Sequence, residues 1–291
     1  MFRRHRLIAT LSAALLAACA STPEEPLGPP AKEMIYAVTA SHQLVQFNAG
    51  QPQKLTTRRA LKGLAAGERL LGIDYRVARG QLFGLGASGQ LYRIDTASAT
   101  AIAVGAPQPL PREGATEWGF DFNPTVDRIR VVNDAGFNLR LHPDTGVIVD
   151  SDPNQPGVQL DGRLAYDAAD VNAGKPPGVV AAGYTYNKTN DKLTTNYALD
   201  GRLGTLVHQG SKEGVQPAVS PNTGRLFTVG SLGLGSFERA TLDISDLNNT
   251  AYAAITQSGK ASWYRIDLET GRATRIGTLA AQDVVGAAIE P

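Results

Sequence analysis

Internal repetition is the feature that most restricts how this chain can fold. Four stretches share one layout: GIDYRVARGQLFGLGASGQLYRID from Gly72, GFDFNPTVDRIRVVNDAGFNLRLHPDTG from Gly119, GYTYNKTNDKLTTNYALDGRLGTLVHQG from Gly183 and LDISDLNNTAYAAITQSGKASWYRID from Leu242. Each opens on apolar–polar alternation, turns through Asn, Asp or Gly, and runs through further short strands, with DTAS, PDTG or LETG forming a later turn in three of the four. Short alternating runs broken by such residues specify strands and turns. No long helix is evident after Met34. Units of four short antiparallel strands, recurring at intervals of roughly 45 to 65 residues, are the pattern of β-propeller blades.

The ends of the chain complete the count. VVGAAIEP (Val284–Pro291) reads as a first strand with nothing after it, and MIYAVTASHQLVQFNAGQPQKL (Met34–Leu55) as the rest of a blade with nothing before it. The expected fold is therefore all-β: a five-bladed β-propeller over 34–291, its ring closed by pairing the N- and C-terminal strands, which removes two open sheet edges. VSPNTGRLFTVG (Val219–Gly230) precedes Leu242 too closely to begin a four-strand blade, so it is assigned to the outer part of the blade begun at Gly183. Counting it as a separate blade gives six, the alternative.

Upstream, MFRRHR followed by LIATLSAALLAA and the ending LAAC resembles a bacterial lipoprotein signal. Residues 1–18 are then the signal peptide, Cys19 the lipidated residue and membrane contact, and the Pro-rich segment 19–33 a tether. Ala20, rather than Asp, after the acylated cysteine implies the outer membrane, facing the periplasm, in a Gram-negative cell. Cys19 is the only cysteine, which excludes an intramolecular disulfide and a Cys-based zinc site. Of 28 Lys and Arg, three (Arg3, Arg4, Arg6) lie in the leader, leaving 25 against 27 acidic residues. A net charge of about −2 gives no basic excess for nucleic acid.

The densest polar stretch is residues 119–146. Asp121 aligns with Asp74 and Asp243, with Thr185 at that place in the remaining repeat, and Asp127 aligns with Gly80, Asp191 and Asn249 at a turn. Turn positions recruit such residues because they tolerate left-handed backbone and bond nearby amides. An EF-hand reading fails, because Val126 and Val132 occupy the places that need Gly and Glu. His42, His142 and His208 show no metal-ligand spacing, and no nucleophile elbow or phosphate loop is present.

Two groups remain as candidates. Arg128, Arg130, Asn133, Asn138 and Arg140 alternate along consecutive strands. They form either a solvated sheet face paired with Asp or a site for an anionic or sugar-like ligand. Asp74, Asp121 and Asp243 fall on innermost strands, where they either gather around a cation near the channel or bond to backbone amides between blades.

The segments GLAAGERLLGIDYRVARGQLFGLGASGQLYRID, WGFDFNPTVDRIRVVNDAGFNLRLHPDTGVIVD and SPNTGRLFTVGSLGLG resemble a bacterial family known as domain of unknown function 4394, over about Ile35 to Ile289. The resemblance implies an exported, propeller-like protein and carries no activity or catalytic residues. The expected function is a membrane-anchored periplasmic binding protein, monomeric, without a cofactor, whose propeller takes a protein partner or a small ligand. The alternative is a lactonase- or glycosidase-like propeller hydrolase dependent on a divalent cation.

Overall fold

The computed structural model describes residues 25–291; the expected signal peptide, residues 1–18, and Cys19 lie outside the described residues. Blade 1 holds β1 (Met34–Thr39), β2 (Gln43–Asn48) and β3 (Leu55–Ala60); blade 2 holds β4 (Leu70–Arg76), β5 (Gln81–Gly86), β6 (Leu91–Asp95) and β7 (Thr100–Val104). Blade 3 is built from β8 (Trp118–Asn123), β9 (Arg128–Asn133) and β10 (Asn138–Leu141), after which the short β11 (Ala165–Tyr166) leads on. Blade 4 comprises β12 (Val179–Tyr184), β13 (Asn196–Asp200), β14 (Thr205–Gln209) and β15 (Arg225–Ser231). Blade 5 has a split inner strand, β16 (Arg239–Ala240) and β17 (Asp243–Ile244), followed by β18 (Ala251–Gln257), β19 (Lys260–Ile266) and β20 (Ala273–Thr278). The final strand, β21 (Val284–Ile289), returns to blade 1.

These strands form five separate sheets, so the protein is a five-bladed β-propeller. Blade 1 has the order β21-β1-β2-β3, and its seam pairs Ile35 with Ile289 and Ala37 with Ala287. The ring is thus closed by the two ends of the chain. Val219–Gly230 belongs to blade 4, where β15 pairs with β14, which disposes of a sixth blade.

Blade 3 departs from the four-strand expectation. After His142–Gly146 turns, only the bridge Leu141–Ile148 forms where a fourth strand was expected. The chain then passes through two prolines, Pro153 and Pro156, which lack the N–H a ladder needs. Beyond them β11 pairs in parallel with β15, fastening the chain leaving blade 3 to the outer edge of blade 4. Of the four hairpin positions aligned from sequence, Gly80, Asp127 and Asn249 adopt left-handed backbone, at φ of 58°, 51° and 57°, whereas Asp191 does not.

The core lies between blades. At the blade 5–blade 1 junction, Trp263 stacks on Tyr252 at 5.7 Å and meets Phe47 edge-on at 5.2 Å. At the blade 2–blade 3 junction, Phe83 and Phe122 lie 5.3 Å apart. Such pairs add to the burial of their large apolar surfaces. Near the axis the inner strands approach closely: a Cβ on Gly119 would stand 2.8 Å from the backbone of Ala181 and Ala182.

The described part of segment 19–33 is attached to the ring. Ala31 exchanges hydrogen bonds with the Asn48 side chain at 2.8 and 2.9 Å, and Gln51 Nε2 donates to Gly28 O at 2.8 Å. Glu25 pairs with Arg275 of blade 5, and the buried Glu33 accepts from Asn248 Nδ2 at 2.8 Å.

Candidate functional site

The inner strands of blades 2, 3 and 5 bring Asp74, Asp121 and Asp243 together. Each carboxylate offers an oxygen within 4.8 Å of the others, and all three side chains are buried. Each also accepts the backbone N–H of the next inner strand around the ring. Phe122 N donates to Asp74 Oδ2 at 2.7 Å, Tyr184 N to Asp121 Oδ1 at 3.0 Å and Ile289 N to Asp243 Oδ2 at 2.6 Å. The three acids thus clasp adjacent blades through backbone amides, as one of the two sequence readings expected, and they also face one another. The place expected for Thr185 belongs instead to Gly183, since the donating amide follows at Tyr184 as it does at Phe122. A two-residue shift keeps the same strand face, so alternation alone could not reveal it. At the blade 4–blade 5 junction Asn249 substitutes, exchanging hydrogen bonds with Tyr186 N and O at 2.8 and 2.9 Å.

Burial penalises charge on all three acids. It raises Asp74, with Asp243 beside it adding repulsion, and raises Asp121, with Asp74 and Asp243 adding more. Asp243 is pushed up to about 7, chiefly by burial. The Tyr186 phenol is raised by burial and by the same three carboxylates. Adjoining this cluster, the space between Gly72, Gly119, Ala182, Thr241 and Gly286 amounts to about 10 Å³. That is room for one water at most, so the axis is closed to organic substrates there.

The second candidate group meets at the junction of blades 3 and 4. Register places Asp121, Arg130 and Arg140 in one row across blade 3, and Tyr184, Asn196 and Gln209 in one row across blade 4. Arg130, 1% exposed, reaches from the blade 3 row to blade 4. Its guanidinium donates to Tyr184 Oη at 3.2 Å, Asn138 Oδ1 at 2.8 Å, Asp161 Oδ2 at 2.5 Å and Asn222 Oδ1 at 2.7 Å. Burial opposes its charge, and the Tyr184 oxygen and Asp161 outweigh that, leaving Arg130 raised. Arg140 makes a two-pronged contact with the same carboxylate, at 2.9 and 2.8 Å.

Arg128, Arg130 and Arg140 all border one groove of about 380 Å³, which no carboxylate of the described residues lines. Asn138 is beneath it, bonded to Gly162 O at 3.0 Å and Pro221 O at 3.3 Å. Asn133 is not part of this group. Its Oδ1 accepts from Ala135 N and Phe137 N, at 3.2 and 3.0 Å, and shapes its own hairpin.

Asp161, Asn222, Tyr184, Asn196 and Gln209 escaped sequence reasoning. Asp161 comes from an irregular segment outside the repeat and Asn222 from the 3₁₀ turn Pro221–Thr223 that leads into β15, and Asn196 and Gln209 face each other only through the β13–β14 register. The available signal was the presence of amide side chains on strands whose neighbours are apolar, as in TTNYALD and TLVHQG.

A larger hollow of about 830 Å³ lies beside blade 5, but its Arg275 is already paired with Glu25, leaving Lys260 as its other charged group.

No curated protein matches this chain. Among solved structures, a protein of unknown function from Bacteroides thetaiotaomicron VPI-5482 is similar over 84% of this chain and 58% of its own, at 13% identity and a TM-score of 0.46. An auxiliary nutrient binding protein from the same organism is similar over 88% of this chain and 58% of its own, at 12% identity and a TM-score of 0.41. This chain thus spans less than two thirds of the length of either. The family model described as "Domain of unknown function (DUF4394)" matches residues 43–288, and the chain belongs to that family.

Proposed function

We propose that the protein is an exported, lipid-anchored binding protein that holds its ligand through an anionic group in the groove between blades 3 and 4. One observation carries this reading: Arg130 and Arg140 share the single carboxylate of Asp161, whose side chain is fully buried. Two guanidiniums against one carboxylate leave an uncompensated positive charge at the wall of a groove that no acid among the described residues lines. A carboxylate or phosphate restores that balance, and the planar fork of Arg suits either. Arg128 at the rim, with its guanidinium bonded to backbone oxygens of Val126 and Asp127, adds a second cationic wall. Calorimetric titration of the full chain with acetate and inorganic phosphate tests this. Saturable binding that weakens in Arg128→Ala and falls with rising salt is expected, and an absence of binding by either anion refutes it.

The anchor rests on the LAAC sequence around Cys19. Replacing Cys19 with Ser should move the protein from the membrane fraction to the soluble one.

A second reading, a hydrolase dependent on a divalent cation, is favoured by the convergence of Asp74, Asp121 and Asp243. Oxygen-only ligation suits calcium or magnesium. These three residues would hold such an ion, which would bring Lewis acidity and neutralise their mutual repulsion. The constriction of about 10 Å³ beside them argues against a substrate arriving from that side. Calcium and magnesium titration of thermal stability separates the readings, because an ion bound to the native state raises Tm.

A further inference from the structure

Six buried side-chain polar atoms among the described residues have no hydrogen-bond partner, and three of them belong to one cross-strand pair. They are Asn196 Oδ1, Asn196 Nδ2 and Gln209 Oε1, on residues directly opposite each other in the β13–β14 register. Asn196 is 2% exposed and Gln209 1%. Leaving a buried amide unpaired is costly, and native structures rarely do so without a reason. Gln209 has already used its Nε2, donating to Asn138 Oδ1 at 3.1 Å and Pro221 O at 2.6 Å. Both residues border a second cavity of about 350 Å³. That cavity shares Asn123, Tyr184, Ser220 and Pro221 with the arginine groove, so the two spaces abut.

We propose that Asn196 and Gln209 read the hydroxyl groups of a polyhydroxylated acid, such as a hexuronate or sialic acid, whose carboxylate occupies the adjoining arginine groove. The inference rests on the anion-binding role proposed above and names the class of ligand. The idle atoms comprise two acceptors and one amide nitrogen with two N–H groups. A carboxylate supplies no donor and an ammonium supplies no acceptor, whereas hydroxyls supply both. Neighbouring hydroxyls on a sugar ring match an amide's adjacent N–H and C=O. Each cavity falls within the usual size of small-molecule sites, roughly 300–1,000 Å³.

The test uses the full chain, titrated by calorimetry with D-glucuronate, D-galacturonate and N-acetylneuraminate, with acetate and D-glucose as controls. At least one of the three acids should bind more tightly than acetate and glucose. Asn196→Leu should weaken that acid by at least about tenfold while leaving acetate binding unchanged. The same substitution should leave the Tm of the ligand-free protein unchanged or higher, because it removes unpaired polar atoms from the interior. Acetate binding as tight as every sugar acid, and insensitive to Asn196→Leu, overturns this inference while the anion groove stands. No binding of any anion overturns the groove and this inference together. A lowered Tm with unaltered sugar-acid affinity shows that the Asn196 amide holds only a structural water, and also overturns it.

Discussion

Replacing Asp243 with Asn should make the stability of this propeller less sensitive to alkali. Asp243 is buried at the ring seam, accepts Ile289 N and Ile244 N at 2.6 Å each, and has its carboxyl pushed up to about 7. In the unfolded chain the same group titrates near 3.9. Between those values the folded state binds the proton that the unfolded state has lost, so stability falls as pH rises through the window. Three pH units at about 1.4 kcal/mol each bound the full effect at about 4 kcal/mol, of which roughly 3 kcal/mol falls between pH 5 and pH 8. Asn cannot ionise, and it gives up one of the two accepted hydrogen bonds, at a cost of about 1–3 kcal/mol that does not vary with pH. Relative to the native chain, Asp243→Asn should therefore gain roughly 3 kcal/mol from pH 5 to pH 8, a relative shift in Tm of roughly 6–12 °C at this size. Removing the charge also relieves Asp74 and Asp121, both of which it raises, in the same direction. The assay is urea and thermal unfolding of both proteins at the two pH values, in chelator. A difference between them that stays constant across this range, or that moves against the variant, would falsify the account of the axial acids.

Three further outcomes follow from the geometry. Arg130→Ala withdraws one of the two partners of fully buried Asp161 and leaves Asn222 Oδ1 short of its donor; it should cost about 3–5 kcal/mol in urea unfolding, and a loss below about 1 kcal/mol contradicts the network. Gly119→Ala places a Cβ 2.7 Å from Val132 Cγ2 and 2.8 Å from the backbone of Ala181 and Ala182, so Tm should drop by the equivalent of about 1–3 kcal/mol; an unchanged Tm means blades 3 and 4 sit further apart. Arg275→Ala removes the pair with Glu25, whose carboxyl that guanidinium helps to hold down at about 2, and should speed hydrogen exchange in 25–33 with little change in global stability, since the pair is partly exposed.

Much of the architecture was legible before any coordinates. Strand alternation has period two and turns need residues that tolerate left-handed backbone, so Gly80, Asp127 and Asn249 announced hairpins by residue type alone. The unfinished modules at Met34 and Val284 disclosed the seam for the same reason: each lacked what the other had. Equivalence of Asp74, Asp121 and Asp243 was also visible, because a shared position in a repeated unit needs no third dimension. Their shared function as clasps on the next strand's amide was not, since that partner lies roughly 45 residues or more away.

The candidate cleft belongs to tertiary structure. Arg130 and Arg140 could be named from their alternation, but what they do depends on Asp161, delivered by an irregular excursion that follows no period. Asn196 and Gln209 looked like ordinary strand residues until register set them side by side and burial removed their water. Local sequence dictates which backbone conformations are cheap, and that suffices for strands, turns and their repetition. Which polar groups meet, and which are left without partners, depends on how separate sheets pack against one another, a consequence of the whole ring rather than of any one blade.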